Sequence, residues 1–216
     1  MEERIKQDYR KYYDILEILG YGAYGVVYKG KEKKTYKYRA IKVIEYEKII
    51  ENLLYEYDSK QVKDQLQKWS EIFIKEYNIM DICSKNNINS VKCYEYFNND
   101  KNFVIIMELC EKDLSKALKE KIIKTGKGFD LEKIREIINQ LNNTFKVMKE
   151  NNIIHRDLKL ENILIKNDDK FKITDYGCSK KLDSLSKLCF TKNVGTLIYM
   201  APEILNEEPY DYKCDL

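Results

Sequence analysis

The residues best equipped for chemistry lie together in His155-Arg-Asp-Leu-Lys-Leu-Glu-Asn162. An aspartate five residues ahead of an asparagine, in a loop between two short β-rich runs, would set a proton acceptor beside an oxygen ligand for a hard cation. A second acid follows in Asp175-Tyr-Gly177, thirteen residues beyond Asn162, and Ala201-Pro-Glu203 begins twenty-six residues after Asp175. Taken singly, Asp157 and Asp175 would read as solvated loop residues; their order and spacing argue for one site. His155 is the only histidine in the chain, so a mechanism built on a histidine base has little to rest on, and its place in the loop suggests packing.

In the first half, Gly20-Tyr-Gly-Ala-Tyr-Gly25 has the form Gly-x-Gly-x-x-Gly, which lets backbone N–H groups approach phosphates without side-chain hindrance. A dinucleotide fingerprint would open a helix at these glycines. Val26-Val-Tyr28 returns instead as a strand, giving a glycine-rich hairpin; an ordinary flexible hairpin is the alternative. Lys42, within Ala40-Ile-Lys-Val-Ile44, shares a strand face with Ala40 and Ile44. An inward ammonium needs an anionic partner, unless Lys42 lies on an edge strand facing water. Glu76 falls on the apolar stripe of the following helix, four residues after Ile72 and four before Met80. Glu71 competes for the same role but falls off that stripe.

Positioning these groups takes a strand-rich half and a helix-led half. Tyr13–Leu19, Val26–Tyr28 and Tyr38–Ile44 read as strands, and Phe103–Met107 as a buried strand. Between them, Tyr46 to Cys83 turns helical, with Trp69, Ile72, Phe73, Ile79, Met80 and Cys83 at three- and four-residue spacing. Gly126-Lys-Gly128 is a loop, and Asp130 would cap a helix whose apolar stripe is Leu131, Ile134, Ile138, Leu141, Phe145 and Met148. Short β runs follow at Ile153-Ile154, Ile163–Ile165 and Phe171–Ile173, the last two joined by a turn at Asn167-Asp-Asp169. The fold class is α+β with two lobes and a linker near Glu108 to Lys112.

The 216 residues are 44% apolar, enough for a folded core. With 39 basic and 36 acidic residues, the net charge of +3 gives no reason to expect a nucleic-acid surface. The charged N-terminus is no secretory signal, and no apolar run approaches the roughly 20 residues of a membrane span. Six scattered cysteines without a Cys-x-x-Cys pair fit neither a disulfide framework nor a zinc site, so a reducing cytoplasm, or the nucleus, is the expected location.

The ordered set of motifs resembles the signature of the eukaryotic protein kinases, from about Tyr13 to Leu216. Lys159, two residues after Asp157, and Thr196 ahead of Tyr199-Met-Ala-Pro-Glu203 resemble the serine/threonine branch. The resemblance implies a bilobal kinase-like fold: an N-terminal extension over 1–12, a β-rich N-lobe over about 13–107, a hinge at about 108–112 and an incomplete, mainly α C-lobe over 113–216. It implies transfer of the γ-phosphoryl of ATP, with Mg²⁺, to Ser/Thr hydroxyls of protein substrates, and an upstream activating kinase as a further partner. Leu19, Gly20, Gly22 and Gly25 would border the nucleotide, the glycines covering its phosphates. Lys42 would bind the α- and β-phosphates, held by Glu76. Val27, Ala40 and Leu164 would sandwich adenine, with Met107 behind it. The backbone of Glu108 and Cys110 would hydrogen-bond adenine, and Asp113 would reach the ribose. Asp157 would orient the substrate hydroxyl and accept its proton, Lys159 would neutralise charge on the γ-phosphoryl, and Asn162 and Asp175 would hold Mg²⁺.

Three departures from the family pattern stand out. Tyr176 replaces the usual phenylalanine. Lys42 and Glu76 lie 34 residues apart, which implies an extra helical segment around Ile49 to Lys68. By resemblance the sequence also stops where the central helix of the large lobe begins. Asp215 would brace the His-Arg-Asp loop from that helix, Glu203 would lack its arginine, and Ile134, Ile138 and Leu141 would lack packing. A truncated, non-catalytic nucleotide-binding or scaffold remnant is therefore the rival reading. The resemblance also suggests a phosphate on Thr191, clamped by Arg156 and Lys180, with Ser184 and Ser186 as further candidates.

Overall fold

The computed structural model describes residues 5–22, 25–55, 57–167, 169–182, 188–189, 191 and 195–215. The chain divides into two compact units, Met1–Tyr77 with Lys92–Leu109, and Asn78–Val91 with Cys110–Leu216. The candidate phosphosites Ser184 and Ser186 lie outside the described residues.

In the first unit, β1 (Tyr13–Tyr21), β2 (Val26–Glu32), β3 (Tyr38–Glu45), β4 (Cys93–Asn98) and β5 (Asn102–Met107) form an antiparallel sheet in the order β1-β2-β3-β5-β4. β5 is buried at every position, as its unbroken apolar run requires. One cluster joins Tyr13, Ile41, Val43, Phe97, Val104 and Ile106 with Tyr9, which comes from a single turn ahead of the sheet. Asp8 caps that turn by accepting the Arg10 N–H at 3.0 Å, and the Tyr12 ring stacks on Phe97 at 5.8 Å. The strand β4 has little sequence signal, because a bulge between Cys93 and Glu95 breaks its alternation and Tyr94 is exposed.

The helical stretch divides into α1 (Tyr46–Leu53) and α2 (Ser59–Ser84), so the extra segment around Ile49 to Lys68 is helical for most of its length. Phe73, Glu76, Ile79, Met80 and Cys83 are buried along α2, whereas Ile72 is 45% exposed and off the stripe expected for it. The Phe73 ring lies 5.5 Å from Phe103. Asn98 links the two helices, accepting from the Tyr46 hydroxyl at 2.8 Å and donating to Ser70 at 2.8 Å.

The second unit contains β6 (Lys112–Asp113), α3 (Leu114–Thr125), α4 (Leu131–Glu150), β7 (Ile153–Ile154), β8 (Ile163–Lys166), β9 (Lys170–Ile173), β10 (Lys180–Lys181) and α5 (Pro202–Leu205). β6, β8 and β9 form one small sheet, β7 and β10 another. Asp130 caps α4 as expected, accepting the Lys133 N–H at 2.8 Å.

The buried face of α4 differs from the expected stripe. It is Ile137, Leu141, Thr144 and Met148, while Leu131 (76%), Ile134 (41%) and Ile138 (58%) are exposed. Thr144 displaces an apolar side chain because it has polar work. Its hydroxyl donates to the Asn89 carbonyl at 2.9 Å and receives the Asn87 side-chain N–H at 3.0 Å. This network fastens segment 87–91 to α4 with its polar groups satisfied. No helix among the described residues is long and apolar enough to cross a membrane.

Candidate active site

β3 runs between β2 and β5, so Lys42 is on an interior strand and not an edge. Its ammonium is 2.6 Å from the Glu76 carboxylate, with side-chain exposures of 13% and 5%. The competing acid, Glu71, is exposed. A shielded pair of this kind fixes the ammonium in place and holds α2 against the sheet.

The glycine-rich hairpin closes through the Gly22 N–H, which donates to the Gly25 carbonyl at 2.8 Å. A Cβ on Gly25 would run into the Val43 carbonyl oxygen, so this position must be glycine for the hairpin to lie against β3. Ala23 and Tyr24 lie outside the described residues. Leu19 is exposed, Gly20 and Val27 are half-buried, and Ala40 and Met107 are buried and paired across β3 and β5. Glu108 is tied to Lys92 twice: its N–H donates to the Lys92 carbonyl at 2.8 Å, and its carboxylate accepts the Lys92 N–H at 3.3 Å.

In the second unit the loop after β7 is pinned from both ends. Arg156 has φ 69°, a left-handed conformation rare for a side chain of its size. The Asp215 carboxylate accepts the N–H groups of His155 (2.6 Å) and Arg156 (2.8 Å), as the sequence reading expects, but from a short 3-10 turn, Tyr212–Asp215. His155 is fully buried. Its Nε2–H donates to the Thr174 carbonyl at 3.0 Å, which leaves Nδ1 to face the Asp157 N–H at 3.4 Å. Its ring also packs 5.1 Å from Tyr176.

Asp157 emerges from this loop among three partners. Lys159 donates to one carboxylate oxygen at 2.8 Å, Thr196 donates to the other at 2.6 Å, and the Asn162 amide donates at 3.0 Å. Lys159 also donates to Thr196 at 2.8 Å, closing a triangle. Burial pushes the Asp157 carboxyl up, but the bonds from Lys159 and Thr196, the Lys159 charge and the Asn162 amide outweigh it. The group titrates below its ordinary value. Burial pulls Lys159 down, yet Asp157 and the nearby acids leave it above its ordinary value. The part of Thr196 in this triangle is not evident from spacing; the sequence marks Thr196 only through its place ahead of Tyr199-Met-Ala-Pro-Glu203, by resemblance to the serine/threonine branch.

Asn162 and Asp175 come together through the register of β8 and β9, where Ile163 faces Ile173. The Thr174 N–H donates to the Asn162 carbonyl at 3.0 Å, and Asp175 follows directly. The Asn162 amide group spends its two hydrogens on the Asp157 carbonyl (2.8 Å) and carboxylate (3.0 Å). Its amide oxygen is not used in either bond. An amide oxygen beside a half-buried carboxylate is the hard-donor set that Mg²⁺ takes. Leu164 pairs with Asp113 across β8 and β6, and Cys110 is half-buried. The Asp113 carboxylate caps α3, accepting the Lys116 N–H at 2.8 Å.

Thr191 sits among cations. Lys180 donates to its hydroxyl at 3.1 Å, and Tyr210 donates to its carbonyl at 2.7 Å while receiving Arg156 at 3.2 Å. The Cys189 thiol lies 3.7 Å from the same guanidinium. Burial raises this thiol, but hydrogen bonds with Tyr210 and Thr191 and the Arg156 charge bring it down to about 7.

A family profile described as "Protein kinase domain" matches residues 13–216. The chain is 32% identical over 213 residues to the serine/threonine-protein kinase pakG of Dictyostelium discoideum, covering 97% of this chain and 16% of that protein. It is 35% identical over 208 residues to the serine/threonine-protein kinase atg1 of the same organism, covering 92% and 27%. Against the serine/threonine-protein kinase cds1 of Schizosaccharomyces pombe it is 31% identical over 211 residues, covering 95% and 42%. The chain thus spans less than half the length of these relatives. From the glycine-rich hairpin through the paired Lys42 and Glu76 to the loop around Asp157, this chain belongs to the protein kinase family.

Proposed function

We propose that the chain transfers the γ-phosphoryl of ATP to serine or threonine hydroxyls of proteins. The observation that carries this reading is the triangle of Asp157, Lys159 and Thr196. In it a carboxylate stands ready to orient a hydroxyl while an ammonium waits beside it for phosphoryl charge.

In the proposed reaction the substrate hydroxyl oxygen forms a bond to the γ-phosphorus as the bond to the β,γ-bridging oxygen breaks, and ADP leaves. The hydroxyl proton passes to an oxygen of Asp157. A carboxylate below its ordinary pKa is a weak base. Its main task is therefore to align the nucleophile, which suits a loose transition state in which the proton leaves late. Lys159 offsets charge on the moving phosphoryl group, and Lys42, held by Glu76, binds the α- and β-phosphates. Gly20, Gly22 and Gly25 offer backbone N–H groups to phosphate. Leu19, Val27, Ala40, Met107 and Leu164 supply apolar contacts for adenine, and the Glu108 and Cys110 backbones its hydrogen bonds. Asn162 and Asp175 would hold Mg²⁺, which neutralises phosphate charge when bound. An upstream kinase acting on Thr191 is part of the same reading.

The test is phosphoryl transfer from labelled ATP, with Mg²⁺, to a generic basic protein. Transfer by the chain that disappears in Asp157→Asn supports the proposal. A folded chain that binds ATP without transferring phosphate would overturn it in favour of a nucleotide-binding remnant.

A further inference from the structure

Asp175 has φ 61° and ψ 71°, in the left-handed region that residues with a side chain seldom adopt. Such a conformation persists only where its neighbours fix it. Ser90 touches the chain on both sides of it. Upstream, Ser90 bridges Ile173, whose N–H donates to the Asn89 carbonyl at 2.9 Å and whose carbonyl accepts the Val91 N–H at 2.9 Å. Downstream, the Ser90 and Tyr176 hydroxyls meet at 2.7 Å. Ser90 is 0% exposed and Tyr176 1%, so water does not compete for this bond.

The platform beneath Ser90 is itself rigid. The Asn89 side chain donates to the Phe171 carbonyl at 3.0 Å and to Gln140 at 3.2 Å, and Thr144 donates to the Asn89 carbonyl. A phenylalanine at 176 would fill the same space as the tyrosine ring but offer Ser90 nothing. The hydroxyl that sets this chain apart from the usual family pattern is thus the one that closes the clamp.

We propose that Ser90 is a positioning residue for Asp175, its bond to Tyr176 holding that carboxylate in the turn that presents it to a divalent cation. The inference rests on the reading of Asp175 as a Mg²⁺ ligand. The experiment titrates a fluorescent ADP analogue, with and without Mg²⁺, into the wild type, Ser90→Ala, Tyr176→Phe and the double variant, with thermal unfolding of each. Metal-free affinity should be the same in all four. The gain in affinity that Mg²⁺ provides should fall about tenfold in each single variant, the effect of one buried hydrogen bond, and no further in the double. Variants that lose thermal stability yet keep the full Mg²⁺ gain would reduce Ser90 to a packing role and overturn the proposal alone. A wild type that shows no Mg²⁺ gain would overturn the reading of Asp175, and this inference with it.

Discussion

The Asp215 carboxylate accepts the backbone N–H groups of His155 and Arg156, residues 60 and 59 positions away, at 2.6 and 2.8 Å. It stabilises a loop whose Arg156 has a left-handed backbone and whose next residue is Asp157. Asp215→Ala should leave both donors unsatisfied, at about 1–3 kcal/mol each. In a domain of this size each kcal/mol lowers Tm by roughly 2–4 °C. Calorimetry should therefore find a drop of several degrees, and phosphoryl transfer should fall with it. A variant with normal Tm would mean that the loop holds itself.

The Lys42–Glu76 pair is shielded enough that breaking it should cost more than removing it. Lys42→Met alone leaves the buried Glu76 carboxylate without its partner and should destabilise by about 3–5 kcal/mol. Lys42→Met with Glu76→Leu should recover most of that loss while transfer stays absent. Urea denaturation of the four-protein cycle reads the coupling; additive losses would contradict it.

The acid–base behaviour of the triangle has a defined sign. Asp157 is depressed below its ordinary 3.8, so its contribution is complete above that pH and is lost only as pH falls through the lower folded value. Lys159 is raised above 10.5, so its contribution holds below that pH and is lost as pH rises through the folded value. The difference in urea midpoint between wild type and Asp157→Asn should therefore be flat from about pH 5 to 9. A change near pH 6 would show that another group controls the site.

Gly195 has φ +107°, and a Cβ there would strike the Arg156 carbonyl oxygen. Gly195→Ala should move Thr196 off Asp157 and cost about 1–3 kcal/mol. Transfer should fall at least as far as in Thr196→Ala, which removes the hydroxyl without touching the backbone. The two rates measured side by side decide it.

Thr191 is ringed by Lys180, Tyr210 and, through Tyr210, Arg156. A phosphate there would give Lys180 and Arg156 an anion to pair with in place of a neutral hydroxyl. Phosphorylation by an upstream kinase should raise the rate of wild type and leave Thr191→Ala unchanged. Equal activation of both would move the site elsewhere.

Much of the site is legible in the sequence because its residues break local rules. A lysine on an inward strand face and a glutamate on an inward helix stripe each demand a partner, and Lys42 and Glu76 supply it to one another. The loop 155–162 is legible from residue type and spacing alone. What is not legible depends on partners distant in sequence. The buried face of α4 includes Thr144 because Asn87 and Asn89, more than fifty positions earlier, hydrogen-bond it. Asp113 enters the sequence reading only through the resemblance, as a ribose contact; that α3, a lysine-rich helix with weak periodicity, begins on it shows only in the structure. On α4 Ile137 is buried, whereas Ile134 and Ile138, for which the resemblance implies a lack of packing, are exposed.

The family profile begins at residue 13, yet packing begins earlier. Tyr9 is 3% exposed and the Tyr12 ring stacks on Phe97 at an interplanar angle of 26°. A shortened chain starting at Tyr13 would uncover one side of Phe97 and forfeit about 1.5–3 kcal/mol for Tyr9 alone. The stretch that the family profile matches is therefore shorter than the stretch that packs into the core of the first unit.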